Sequence, residues 1–137
     1  LDMAKNILVV DDVPFVRRTL SELLEKIGYR VVAEAVDGND AVDKYKQLRP
    51  DLVTMDVVMP KKSGIEALKE IMEIEPKAVV VMVSAMDQMN LVIEALSHGA
   101  KDYVQKPFEA NDVRHVLDRA LRGESNPDPR SHSTQAG

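Results

Sequence analysis

The chain has 137 residues, 30% of them charged and 45% hydrophobic, which suits one domain with a real core and leaves no room for two. It has no Cys, so disulfides and thiolate metal sites are excluded; 18 Lys and Arg against 23 Asp and Glu, with 4% aromatics and no Trp, argue against a nucleic-acid surface. No apolar run approaches the roughly 20 residues that span a bilayer, and the opening LDMAKNILVV has no stretch long enough for a signal peptide, so no membrane insertion and a cytoplasmic address are expected.

Residues 7–10 read as a first buried strand, followed by Asp11-Asp12. A helix follows to residue 27, with Phe15, Val16, Thr19, Leu20, Leu23, Leu24 and Ile27 on one face and Arg17, Arg18, Glu22, Glu25 and Lys26 on the other; Gly28 stops it. Pro14 suits the first helical position and puts the cap near Val13, a poor cap residue, so capping by Asp11-Asp12 stays open as an alternative. A strand over 31–35 and a helix over 39–48 come next, then a strand over 52–55 running into Asp56 and a helix over 65–75. A strand over 79–83 leads to Ser84, a helix over 88–98 ends at Gly99, a short strand over 103–104 leads to Lys106-Pro107, and a helix over 111–122 ends at Gly123. Residues 124–137, ESNPDPRSHSTQAG, carry two Pro and three Ser and almost nothing apolar, so the domain is expected over 4–123 with a polar flexible tail or linker behind it.

Strand and helix thus alternate five times. Strands apolar on both faces and joined by helices predict an α/β fold, a doubly wound five-stranded parallel sheet with helices on each side.

In such a sheet, ligands bind at the carboxyl ends of the strands. There the sequence delivers Asp11-Asp12, Asp56, Ser84 and Lys106. Taken singly, each has an ordinary reading as a turn or loop residue. Together, three carboxylates repel one another and need a cation. Lys106 supplies one positive charge, and the remainder matches one hard divalent ion held by oxygen ligands, for which Mg²⁺ fits best. A magnesium ion beside a carboxylate, a lysine and a hydroxyl makes a site for phosphoryl transfer, with a carboxylate as possible nucleophile.

Asp11-Asp12, Asp56 within DLVTMDVVMPKKSG, Ser84-Ala85 within VVMVSAM, and Lys106-Pro107 within KDYVQKPF together resemble the receiver domain of two-component response regulators, over roughly residues 4–122. The single-domain length and the phrases DLVTMDVVMP, GIEALKEIM and HGAKDYVQKPF are most similar to stand-alone CheY-type chemotaxis regulators. The resemblance implies a flavodoxin-like sheet of order 2-1-3-4-5 with five helices. It makes Asp56 the acceptor of a phosphoryl group from a phosphohistidine on a chemotaxis-type histidine kinase. Asp12, Asp56 and the backbone carbonyl of Val58 would bind Mg²⁺, with Asp11 acting through water. Lys106 would pair with Asp56 and then with the phosphoryl oxygens. Ser84, where many relatives have Thr, and Tyr103 would be the switch pair, Tyr103 swinging in from solvent. Lys106-Pro107 would be joined by a cis bond. Val58 and Met86 would flank the path of the water that removes the phosphoryl group, and being apolar would slow that loss.

The same resemblance implies a signalling switch, not an enzyme beyond its own phosphorylation and dephosphorylation. Its output surface would be the fourth helix, fifth strand and fifth helix, where Leu91, Val92, Ile93, Ala95 and Leu96 form a wider apolar face than one core stripe needs. The partner there would be a flagellar motor switch protein or another output protein, with a phosphatase as a further partner. Other readings stay open: a receiver from a larger regulator such as a receptor methylesterase, a hydrolase of small phosphomonoesters, a flavodoxin-like electron carrier, and Tyr103 as a plain edge-strand aromatic. His98, His115 and His132 lack metal-ligand spacing, and Met82, Met86 and Met89 read as packing.

Overall fold

The chain alternates β1 (Asn6–Val10), α1 (Pro14–Lys26), β2 (Arg30–Ala35), α2 (Gly38–Leu48), β3 (Leu52–Asp56), α3 (Gly64–Ile74), β4 (Val80–Ser84), α4 (Met89–Ser97), β5 (Asp102–Gln105) and α5 (Ala110–Leu121). The structure, a computed structural model, describes residues 4–126. All pairings are parallel, in the order β2-β1-β3-β4-β5. The expected doubly wound α/β fold is therefore present. Its strand order reverses at β1, whose two neighbours are β2 and β3, and this puts a crevice at the carboxyl ends of β1 and β3.

The pleat explains the two-layered core. Successive side chains of β1 point to opposite faces: Leu8 and Val10 join Val53, Met55, Met82, Leu68 and Val92 in one apolar cluster, while Ile7 and Val9 join Val81, Val83, Leu20, Leu24 and Leu117 in the other. Helices α2, α3 and α4 thus cover one face, and α1 and α5 the other. β3 and β4 are buried along their whole length, whereas β2, at the margin of the sheet, is only partly covered.

Helix boundaries follow local chemistry. Val13 is the N-cap of α1 without a side-chain cap bond and Pro14 is its first residue, so Asp11 and Asp12 are not spent on capping. Ser63 and Glu66 form a reciprocal capping box on α3. Gly28, Gly99 and Gly123 close α1, α4 and α5 at φ of 106°, 110° and 86°, a region closed to most side chains.

Three boundaries differ from expectation. The helix expected over 88–98 runs over Met89–Ser97 as α4 and is preceded by an unexpected 3-10 turn, Met86–Gln88. The Gln88 side-chain oxygen accepts from the Ala85 N–H at 2.8 Å, which tightens that turn. β5 runs over four residues, extended at both ends by pairing with β4. The chain also stays attached beyond Gly123: Glu124 pairs with Arg119 and Arg122, and Asn126 is buried, its N–H donating to the Lys101 carbonyl at 2.8 Å and its amide to Asp102 at 3.3 Å. Of the tail expected over 124–137, these first residues pack on the domain, and 127–137 lie outside the described residues.

Candidate functional site

The crevice at β1 and β3 collects the acidic residues. Asp11 follows the last residue of β1 and Asp56 is the last residue of β3; both are buried, at 2% and 4% exposure, while Asp12 is half-buried. Asp11, Asp12 and Asp56 each offer a carboxylate oxygen within 4.8 Å of the others. Asp11 is fixed from two sides. Its side chain accepts from the Val13 N–H at 2.9 Å, and its carbonyl accepts from Arg17 at 2.8 Å, while Arg17 also pairs with Glu34 at 2.9 Å. Sequence reasoning put Arg17 on the solvent face of α1 and missed this role; a charged residue one turn into the helix after the acidic pair was the only available signal.

Lys106 reaches in from the chain just beyond β5. Its ammonium lies 3.3 Å from Asp11 Oδ2 and 3.3 Å from Asp56 Oδ2, its N–H donates to the Ser84 carbonyl at 2.9 Å, and the bond to Pro107 is cis, as expected. Burial, and after it the neighbouring Asp11 carboxylate, raise the Asp56 pKa from 3.8 to about 6 against the opposing pull of Lys106 and the Val58 N–H. Burial acts to lower the Lys106 pKa, but the Asp56 and Asp11 carboxylates outweigh it, so it stands above its ordinary value and Lys106 is charged. The site thus holds three carboxylates against one ammonium. On that count one ammonium does not balance the three carboxylates, and an all-oxygen donor set short of cationic charge fits Mg²⁺.

Ser84, fully buried at the end of β4, has a hydroxyl without a hydrogen-bond partner among the described residues. Tyr103, in the middle of β5, is partly buried and packs against the core cluster that also takes in Leu91 and Leu96 of α4. Its hydroxyl pKa is raised by burial and by Asp102. Val58 donates its N–H to Asp56 Oδ1 at 3.3 Å while its side chain is 48% exposed, and Met86 is 75% exposed on the next loop of the same rim. The structure therefore brings Lys106 into contact with Asp11 and Asp56 and places Asp12 within 4.8 Å of both carboxylates, with Ser84, Val58 and Met86 on the loops and strand ends around them and Tyr103 farther along β5.

Comparisons with known proteins agree with this geometry. The family model described as response regulator receiver domain matches residues 7–118. The chemotaxis protein CheY of Thermotoga maritima is 49% identical over 120 residues, 88% of this chain and 100% of that protein. The chemotaxis protein CheY of Bacillus subtilis is 50% identical over 119 residues, 87% of this chain and 99% of its own. A protein-glutamate methylesterase/protein-glutamine glutaminase of Pseudoalteromonas translucida is 45% identical over 109 residues, 78% of this chain but 28% of its own length. Among solved structures, the CheX-CheY-BeF3-Mg²⁺ complex from Borrelia burgdorferi superposes with a TM-score of 0.78 at 37% identity, covering 82% of this chain and 86% of the other.

Proposed function

The chain belongs to the response regulator receiver domain family, of the CheY chemotaxis type, and from that premise we propose that it is a switch set by phosphorylation of Asp56. Receiver domains of this type are signalling proteins and not enzymes in the ordinary sense. The observation that carries the proposal is the buried Asp56 carboxylate, bracketed by Asp11 and by the Lys106 ammonium at 3.3 Å.

In this reading an Asp56 carboxylate oxygen attacks the phosphorus of a phosphohistidine presented by a chemotaxis-type histidine kinase. The P–O bond forms as the P–N bond breaks, and the departing imidazole takes up a proton. Asp12, Asp56 and the Val58 carbonyl would hold Mg²⁺, with Asp11 acting through water, and the ion would supply charge neutralisation for the transferring group. Lys106 moves its hydrogen bond from Asp56 to a phosphoryl oxygen and keeps that oxygen in line. The unpartnered Ser84 hydroxyl is free to donate to another, and its displacement toward Asp56 opens the space into which Tyr103 turns. The rearranged face, α4, β5 and α5, with Ile93 42% exposed, is then read by an output protein, such as a flagellar motor switch protein. A separate phosphatase supplies the polar group that Val58 and Met86 lack.

The CheY relatives, at 49% and 50% identity, are more similar to this chain than the methylesterase at 45%, which supports this reading over a methylesterase receiver. The apolar Val58, two residues beyond Asp56, stands where a phosphomonoester hydrolase of this kind needs a second acid. The test is transfer from acetyl phosphate and from a phosphorylated kinase, mapped by mass spectrometry. A phosphoryl group on Asp56, lost in Asp56→Asn and with EDTA, is the expected result; labelling elsewhere, or labelling indifferent to EDTA, refutes it.

A further inference from the structure

Two glycines start helices in this fold, and neither needs to be glycine for its backbone angles. Gly38 opens α2 and Gly64 opens α3, and neither is among the positive-φ residues, which are Gly28, Gly99 and Gly123 at helix ends together with Arg49 and Lys61. Space is what excludes a side chain. A Cβ on Gly64 would sit 1.9 Å from the Asp56 carbonyl oxygen, 2.9 Å from its carbonyl carbon and 3.0 Å from Val57 Cα. A Cβ on Gly38 would sit 2.5 Å from the Lys62 carbonyl oxygen and 2.8 Å from Lys62 Cβ. These are backbone atoms or atoms close to it, which no rotamer change can clear.

The contacts fall at the two ends of one stretch, Gly64 on Asp56 and Val57 where β3 leaves the sheet and Gly38 on Lys62 just before α3; residues 57–63 join β3 to α3. The segment folds back so that the Gly64 N–H donates to the Val57 carbonyl at 3.2 Å. Its far end is pinned by the Ser63–Glu66 capping box and by the ion pair of Lys62 with Glu70, and Lys61 within it is held at a φ of 66°, unusual for a residue with a side chain. The Asp56 main chain and the Val58 N–H that meets its carboxylate therefore lie in a stretch held by glycine-to-backbone contacts near both ends. α3 presses on one end and α2 on the other.

We infer that Gly64 and Gly38 are positioning residues of the Asp56 site, clamping the β3–α3 loop from two helices so that the Asp56 carboxylate is held against Lys106 and the Val58 backbone beside it. This inference rests on the phosphoacceptor reading above. A methyl group at Gly64 must push the Asp56 peptide away from α3, and a displacement of even about 1 Å at a reacting group can cost up to about a hundredfold in rate. A methyl at Gly38 moves the same loop from its other end, farther from Asp56, with a smaller effect.

Gly28 supplies the control. It is left-handed, at a φ of 106°, and a Cβ there meets nothing within 4 Å, so Gly28→Ala strains the backbone without touching the loop. The experiment measures three quantities for the full chain and for Gly64→Ala, Gly38→Ala and Gly28→Ala. These are urea stability, Mg²⁺ affinity by NMR titration, and the rate of phosphorylation by acetyl phosphate at saturating Mg²⁺. The clamp predicts that Gly64→Ala loses about tenfold or more in both affinity and rate and Gly38→Ala about threefold, while Gly28→Ala loses stability alone. A folded Gly64→Ala with wild-type affinity and rate overturns the inference. If Gly64→Ala does not fold, Gly38→Ala decides on the same terms, parity with Gly28→Ala overturning it. A wild-type chain that neither binds Mg²⁺ nor accepts phosphate refutes the phosphoacceptor reading and the clamp with it, whereas an active wild type with active variants refutes the clamp alone.

Discussion

At Asp56, folding works against ionisation. Its carboxyl holds a proton up to a pH of about 6, against 3.8 for the free group, because burial and Asp11 disfavour the charge. The sign follows from linkage. Where the folded chain binds a proton more tightly than the unfolded one, stability falls as pH rises, so without metal the domain gains stability as pH drops from about 7 through 6 toward 4. Asp56→Asn should be more stable than wild type at pH 7 and should lack that part of the slope between pH 4 and 6. Urea midpoints at several pH values, with EDTA, check this; a wild type that weakens steadily from pH 7 to 5 while the variant matches it would remove the charge argument.

Two other single residues carry their own expectations. Thr54 is 1% exposed in the middle of β3, and its hydroxyl has no partner among the described residues. A buried hydroxyl without a hydrogen bond costs about 1–3 kcal/mol, so Thr54→Val, nearly the same shape, should stabilise the domain by about 1 kcal/mol in urea unfolding. Val58 and Met86 line the rim with apolar side chains that cannot orient an attacking water. Val58→Asn combined with Met86→Glu should speed loss of the phosphoryl group from Asp56 by about tenfold, a change of only about 1.4 kcal/mol in the barrier. Decay measured at saturating Mg²⁺ decides; an equal or slower decay in the double variant shows that both side chains merely cover the site.

At the level of elements, most of the architecture could be read from the chain. Apolar runs at 7–10, 52–55 and 79–83 are apolar on both faces because β1, β3 and β4 are covered on both sides, and their ends named Asp11, Asp56 and Ser84 correctly as neighbours. What could not be read depends on contacts between distant segments. The 3-10 turn before α4 arises from one side chain, Gln88, closing on Ala85. The shift in register between Ile7 and Leu8 against β2 leaves no trace in a hydrophobic pattern. Gly38 and Gly64 look like any helix-opening glycine until the Lys62 and Asp56 backbones are placed against them. The polar composition after Gly123 hid Asn126, whose two bonds to Lys101 and Asp102 tie the chain to the start of β5. Asn126→Ala should therefore cost about 1 kcal/mol of stability, whereas Ser125→Ala, exposed and outside those bonds, should cost nothing measurable in the same thermal melts.

For the molecule as a whole, the acidic cluster links stability to cations. An ion that binds only the folded state stabilises it by RT ln(1 + [L]/Kd), about 1.4 kcal/mol at ten times Kd. Mg²⁺ should raise the melting temperature of the wild type in a concentration-dependent way, and Asp12→Ala should abolish the shift while melting no lower than wild type in EDTA. A Mg²⁺-independent wild type would remove the ion from the account.

The parallel sheet also sorts the molecule into two ends. Asp11, Asp56, Ser84 and Lys106 all follow or finish strands, whereas residue 4 leads into β1 and Asn126 lies against Lys101, at the opposite, amino-terminal ends of the strands. A fluorophore, a surface anchor or a second protein grafted at residue 4 or just after Asn126 therefore emerges on the side remote from the carboxylates. The unit can be wired into a sensor chip or a fusion with its acidic end left unobstructed.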